Sequence, residues 1–417
     1  MSPSRPLPDT TGVAVVGGGT AGLAVAVLLG RRGIPVTVLE RQPEPAPAPR
    51  GEILQPNGLA VLARMGLLDT LAARPCAETV RYHFLRIGHG PLATFDYSEL
   101  DHPHPTTLVL LPGELDTVLR EAATALPTVS LHAGARVSGL CRNGERVTGV
   151  RVLVDGAEHT LAARFVAGAD GAFSRVRREL PVGGRTVTYP EGYLTGLLPR
   201  PAGFNRDGCY YLGRGEILGL FPVSKDALYF FYLLSPAQYT ARRAAGDTRW
   251  LAERMRAIHP PLGEAALAVG GWRELEFFPC IRVSTGRWYA PGAALLGDAA
   301  HSVNPHVAQG RNLALVDAEA LAEAITPDLL AGNAPSPARL HRWERQRRPQ
   351  AEALRALGDE LVLFWNAKNP LLVWLRDRSF KGLARNPALR RQVTADIAGM
   401  GPLPLSPVQR ARLISPW

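Results

Sequence analysis

Residues Val13–Glu40 read VAVVGGGTAGLAVAVLLGRRGIPVTVLE. Two apolar runs, VAVV and IPVTVLE, flank a glycine-rich turn and a helix-like stretch, and their unbroken apolar character predicts parallel strands covered on both faces. Gly17, Gly19 and Gly22 form G-x-G-x-x-G between the first strand and the helix, and Glu40 ends the second strand. Gly17 permits the tight turn, Gly19 lets the backbone approach a pyrophosphate, and Gly22 lets the helix pack on the strand. The helix N-terminus then offers N–H groups and positive dipole to phosphates. Glu40 accepts hydrogen bonds from ribose hydroxyls and repels a 2′-phosphate. The stretch therefore reads as a dinucleotide site for FAD or NAD.

The chain has 417 residues, 46% of them hydrophobic, enough for two or three packed units. A net charge of +10 is interspersed with Asp and Glu rather than gathered into runs, which argues against nucleic acid and points instead to an anionic substrate or NADPH. Cys76, Cys141, Cys209 and Cys280 lie far apart with no C-x-x-C pair, so no zinc site or dithiol centre is expected, and the compartment reads as reducing and cytoplasmic. The first residues lack a basic start and apolar core, so no secretory signal is expected.

Two further segments carry motifs. ARFVAGADGAFSRVRREL, residues 163–180, ends a buried strand at Asp170–Gly171 and starts a helix near Ser174, with Arg177 in its first turns. An Asp-Gly pair there is equally readable as a plain turn. GAALLGDAAHSVNPHVAQGRNLALVDAEAL, residues 292–321, delivers Gly297–Asp298 from a strand, crosses over through Pro305 and starts a helix around Gly310. Asp298 can accept from ribitol hydroxyls, and the N–H groups of Gly310, Arg311 and Asn312 can face a flavin pyrimidine edge and stabilise negative charge there.

Together these three ordered motifs resemble the class A flavoprotein aromatic hydroxylases, the single-component FAD monooxygenases of the p-hydroxybenzoate hydroxylase fold. The resemblance spans about residues 11–355 and extends to WERQRRPQAEAL, residues 343–354. It implies FAD held without a covalent link, NAD(P)H as a transient reductant, and hydroxylation of a small aromatic or polyketide-like substrate with O2 through a flavin hydroperoxide. The residues it marks for FAD are Gly17, Gly19, Thr20, Ala21, Gly22, Glu40, Arg41, Arg50, Arg120, Val137, Asp170, Asp298, Gly310, Arg311 and Asn312, with Asp170 and Arg177 serving NAD(P)H as well. The chain departs from the family pattern in four places, one of them His306, which is unusual in its loop. Ala308 stands where glycine is common, Arg311 where a small apolar residue or Met is common, and the segment from Pro112 lacks an arginine that Arg120 is expected to replace.

The expected fold is α/β: a Rossmann-type FAD-binding domain with an inserted mixed β-sheet substrate domain and C-terminal helices. FAD-domain pieces are expected at 11–80, 112–184 and 283–345, substrate-domain pieces at 81–111 and 185–282, the latter read as β-rich, and helices at 346–417. His306, in the crossover loop with Pro305, is the candidate catalytic base; the alternative is a solvent-exposed loop histidine. Tyr211, Phe221, Tyr229 and Phe231 are the candidate substrate contacts, although which face of their strands meets a substrate stays open. LVLFWNAKNPLLVWL, residues 361–375, reads as an amphipathic helix that docks on its own domain, forms a homodimer face or touches a membrane. The expected partners are an aromatic small molecule and O2, with no metal, no nucleic acid and a monomer or homodimer. A dehydrogenase or reductase of the same fold, and a flavin protein that only sequesters a ligand, are the alternatives.

Overall fold

The computed structural model describes residues 6–44, 52–401 and 405–414. Thr10–Val16 lies between Val36–Glu40 and Ala157–Gly168 and runs parallel to both. Val129–Ala133 and Ala293–Leu295 extend the parallel set outward on either side. The hairpin Arg136–Asn143 and Arg146–Val154 and the short strand Tyr289–Ala290 complete an eight-stranded sheet. Thr20–Gly30 buries ten of its eleven residues, which accounts for a helix apolar all round. It packs between the sheet and two helices, Glu114–Thr124 and Gly310–Leu330.

The glycines close this unit. Gly17 has φ +105°, and a Cβ on Gly22 would stand 1.9 Å from the Gly17 carbonyl oxygen. Above Gly19 the same test meets nothing within 4 Å. One glycine thus serves packing, while the other leaves the turn open.

A second, seven-stranded sheet draws Arg81–Arg86 and Gly90–Asp96 together with five strands between Arg185 and Ser284. Its pairings are antiparallel except that Gly208–Leu212 runs parallel to Arg81–Arg86. One face packs on Trp365 and Phe380 of the C-terminal helices, and the other on Arg249–Ile258 and Pro260–Leu267. The stretch 185–282, read as β-rich, carries five strands and, between Pro236 and Leu267, three helices that the reading did not include. Their start signals are local. Ser235 and Gln238 form a reciprocal capping box, with Pro236 in the first turn.

The apolar stretch 361–375 is also not one helix. It is the end of Pro337–Trp365 and the start of Pro370–Arg385, broken where Asn369 caps the second helix. Trp365 points inward at 4% exposure, while Leu363, Leu371 and Trp374 face outward. Among the described residues no helix is long and apolar enough to cross a membrane.

A buried polar network joins the third motif to the C-terminal helices. Asp317 accepts from His301 Nε2 at 2.7 Å, from Arg347 at 2.9 Å and from the Gly297 N–H at 3.2 Å. Burial acts to raise the Asp317 carboxyl, but His301 and Arg347 outweigh it and hold the group below its ordinary range.

Gly22→Ala is expected to destabilise the protein by about 3 kcal/mol, because backbone rather than a flexible side chain must yield. Gly19→Ala is expected to stay within about 0.5 kcal/mol of the parent. Urea unfolding of both variants without cofactor checks the contrast; equal losses would remove the packing argument.

Candidate active site

The strand ends and helix starts described above meet at one edge of the parallel sheet. Glu40 Oε2 accepts the Gly18 N–H at 2.7 Å and Oε1 the Gln42 N–H at 2.8 Å, which holds the carboxylate beside the glycine turn. Arg41 follows it on the surface. The Ala135 N–H bonds the Glu40 carbonyl at 2.9 Å, so the strand carrying buried Val137 begins alongside. Arg50 lies outside the described residues.

Helix Thr20–Gly30 has no side-chain cap and no acidic residue in its first turn, and its first backbone bond runs from Leu23 N–H to the Gly19 carbonyl. Helix Gly310–Leu330 is alike, its first such bond running from Leu313 N–H to the Gln309 carbonyl. The preceding N–H groups of each helix are available to an acceptor. Ala308 adopts φ +49°, ψ +38°, a left-handed conformation that costs an alanine roughly 1–2 kcal/mol and suits the glycine common at this place.

The two aspartates differ. Asp170 caps its own helix, accepting from Ser174 Oγ at 2.5 Å and from the N–H groups of Arg175 and Val176 at 2.6 and 3.1 Å. Arg177 then donates to the Ala299 carbonyl at 2.9 Å and the Ala172 carbonyl at 2.6 Å, tying the second motif to the third. Asp298 is exposed on the turn Gly297–Ala299.

Arg311 is directed at a polar cluster that the sequence did not announce. It donates to Thr20 Oγ1 at 2.6 Å and to Asp116 at 2.9 Å, and pairs with Glu52 at 2.8 Å. Thr20 in turn donates to Asp116 at 2.7 Å, and Glu52 accepts the Gly113 N–H at 3.0 Å. Burial drives the Glu52 carboxyl upward, with Arg311 acting against it. Arg120 sits one turn beyond Asp116 and half-buried, away from the start of its helix. The Asn312 side chain is fully used, accepting from the Gln55 N–H at 2.9 Å and donating to the Ile53 and Ala308 carbonyls at 3.1 and 2.8 Å. Only its backbone remains for a ligand.

Beyond Ala308 lies a narrow cavity of about 20 Å³, so an aromatic ring fits only where the side chains of its wall move apart. Tyr82, Phe84, Tyr97, Tyr210 and Trp365 form much of its wall, and His306 lies beside them. The exposed-loop reading of His306 is corrected: the ring is 4% exposed, stacked on Trp365 with centroids 5.1 Å apart. Nδ1 meets the Tyr193 hydroxyl, and Nε2 meets Asn366 Oδ1 at 2.9 Å. Burial pulls its pKa down to about 4, so the ring is neutral near pH 7. With both nitrogens engaged, it lacks the free lone pair that a general base uses. Pro305, next to it, is exposed.

Of the four substrate candidates, Tyr211 lies on the wrong face, packed with the helices Arg249–Ile258 and Pro260–Leu267. Its neighbour Tyr210 takes the cavity face, the two-residue period of a strand separating them. Phe221, Tyr229 and Phe231 share that face but pack behind the lining. Tyr82, Tyr97 and Gln55 come from segments that carry no sequence motif. Trp365 was hidden in a stretch read for its outer surface.

These donors fit FAD. The open turn at Gly19 and the bare N–H groups of Thr20–Gly30 suit a pyrophosphate, Glu40 a ribose, and the second bare helix start a flavin edge. A Cβ on Gly310 likewise meets nothing within 4 Å.

Known proteins share this arrangement. A family model described as FAD binding domain matches residues 10–357. The 6-methylpretetramide 4-monooxygenase of Streptomyces rimosus is 33% identical over 313 residues, 74% of each chain. A 3-(3-hydroxy-phenyl)propionate/3-hydroxycinnamic acid hydroxylase of Burkholderia cenocepacia is 29% identical over 397 residues, covering 90% of this chain and 68% of that one. Among solved structures, Pseudomonas aeruginosa PqsL in complex with 2-aminobenzoylacetate superposes with TM-score 0.76 at 27% identity, over 86% of this chain and 97% of that one. For p-nitrophenol 4-monooxygenase PnpA of Pseudomonas putida the TM-score is 0.81 at 23% identity over 95% and 100%, a likeness of fold.

Removing the Arg311 cation leaves Glu52, 2% exposed, without its partner. Arg311→Met is expected to cost about 3 kcal/mol near pH 8. The carboxyl in this variant rises further above its ordinary 4.5, so the folded state holds a proton that the unfolded state releases, and the deficit shrinks as pH falls toward 5. Urea midpoints at the two pH values check this; a deficit that does not change with pH refutes it. By its matched family model, its monooxygenase relatives and the convergence of three motifs on one FAD-shaped edge, the chain belongs to the FAD-binding-domain family as a class A flavoprotein monooxygenase.

Proposed function

We propose that this chain hydroxylates a small aromatic or polyketide-like substrate, using NAD(P)H as a transient reductant and O2 as co-substrate. The observation that carries the reading is the start of helix Gly310–Leu330, which faces two ways. Through Arg311 it joins the glycine turn at Thr20, and through Ala308 it borders the aromatic cavity. A ligand ring in the cavity and a flavin at the helix start would therefore be neighbours.

Bound FAD would supply electron uptake from nicotinamide and the activation of oxygen. The chain supplies the surroundings. The N–H groups ahead of Leu313 stabilise negative charge at the flavin edge, as fixed dipoles that need no reorganisation. Tyr210, Phe84 and Trp365 keep water from the reacting atoms and orient a flat ring. His306 acts as a positioning residue, holding Trp365 and Tyr193 in place through its stack and its hydrogen bonds. Asp170 and Arg177 keep their proposed service to FAD and NAD(P)H through the loop they brace, and Asp298 its proposed ribitol contact.

Purified protein loaded with FAD is expected to be yellow, to oxidise NAD(P)H faster when an aromatic substrate is added, and to transfer label from ¹⁸O₂ into product. Unlabelled product would sink the hydroxylation reading. Gly19→Ala, which leaves stability alone, is expected to weaken FAD retention at least tenfold on a desalting column. His306→Gln is expected to change KM but leave the shape of the kcat–pH profile between pH 6 and 8 intact; a lost limb in that window would restore His306 as a base.

A further inference from the structure

We infer that the cavity beside Ala308 selects uncharged aromatic substrates and rejects those that carry a carboxylate into it. The inference rests on the reading of this cavity as the substrate site and narrows its substrate class.

No Lys, Arg, Asp or Glu contributes to the lining among the described residues. The one basic side chain there, His306, already spends its two ring nitrogens on Tyr193 and Asn366, and burial keeps it uncharged. The polar groups that remain are neutral. Tyr97 Oη donates to Gln55 Oε1 at 2.9 Å, Tyr82 is bonded to Thr107, and Tyr210 and Thr394 complete the polar part of the wall. Such groups can serve a phenol or a ring carbonyl, but none supplies the charge-assisted pair that a buried carboxylate requires.

Nearby cations cannot turn inward cheaply. Arg376 lies behind Trp365, where it donates to the Gly213 carbonyl at 2.8 Å and pairs with Asp377 at 2.9 Å. Arg311 is held by Thr20, Asp116 and Glu52. Turning Arg311 inward would leave Glu52 without a cation in a poorly solvated place, and Arg376 would give up its bonds to the Gly213 carbonyl and Asp377. The net charge of +10 therefore lies outside the lining, and the expectation of an anionic substrate drawn from it does not extend to this cavity.

Three ligands of one ring system separate charge from size: 2-naphthol, 6-hydroxy-2-naphthoate and the methyl ester of that acid. Each is titrated into the oxidised, FAD-loaded protein at pH 7 without NAD(P)H, and binding is read from the perturbation of the visible flavin spectrum. The naphthol and the ester are expected to bind with similar Kd, and the acid at least 100-fold more weakly. Thr394→Lys places a cation in the wall, and is expected to tighten the acid at least tenfold while leaving the ester no tighter; Ile397→Lys serves if that variant does not retain FAD. An acid that binds as tightly as its ester overturns the inference, as does a folded lysine variant that gains nothing for the acid. Absence of binding by all three also overturns it, because the cavity then does not take the ring. The hydroxylase reading is judged apart from these outcomes, by FAD loading and ¹⁸O₂ label with whatever substrate stimulates NAD(P)H oxidation.

Discussion

Helix Thr20–Gly30 can start where it does only because nothing separates Gly22 from the Gly17 carbonyl. That contact, closer than any side chain allows, presses the helix onto Thr10–Val16 and aims its free N–H groups over the edge of the sheet. The remaining site parts are placed by reference to it. Thr20 is the anchor to which Asp116 and Arg311 are bonded, and Arg311 is the second residue of the other bare helix. Two helix starts separated by nearly three hundred residues of chain are thus held by one guanidinium in a fixed relation, and the site inherits its geometry from that relation.

A second brace works from behind. Asp317 has no exposure, and it collects the Gly297 N–H, His301 and Arg347 at one carboxylate. The turn that carries Asp298 is therefore bonded to the helix whose start borders the cavity, and that helix to the next one. Breaking such a buried group apart is costly, because it leaves the Asp317 carboxylate or the Arg347 guanidinium as an unpaired buried charge and the other donors without an acceptor. The polar interior here is spent on position, while the cavity itself is left almost without charge.

How much of this could be read beforehand follows from range. The parallel sheet was legible because unbroken apolar runs and three glycines are short-range signals, each with a single physical reading. Helix starts at Ser235 and Asn369 were equally local, yet they were overlooked inside stretches rich in aromatic and apolar residues. Tyr211 failed for a different reason. Side chains alternate across a strand, so naming the face needs the partner sheet, and a one-residue slip exchanged the cavity residue Tyr210 for a core one. Trp365 and Gln55 reach the cavity from segments far apart in sequence, and no spacing rule connects them. Arg311 could be marked as unusual, but its carboxylate partners Glu52 and Asp116 become visible only when three segments are folded together.

The departures from the family pattern make sense as a set. The start of Glu114–Thr124 has no arginine, but Glu52 caps that start and Asp116 lies in its first turn, so the place is acidic and calls for a cation from elsewhere. Arg311 answers from the opposite helix, and a small or apolar residue at its position would leave both carboxylates unmatched. Ala308 then lies between this charged cluster and the cavity, holding a left-handed turn that a glycine would adopt more easily. Its methyl group adds apolar surface on the cavity side, where the wall is otherwise aromatic. Charge kept on one side of Ala308 and dryness kept on the other is a division of labour suited to oxygen transfer, which needs polar groups along the flavin edge and few of them around the ring being attacked.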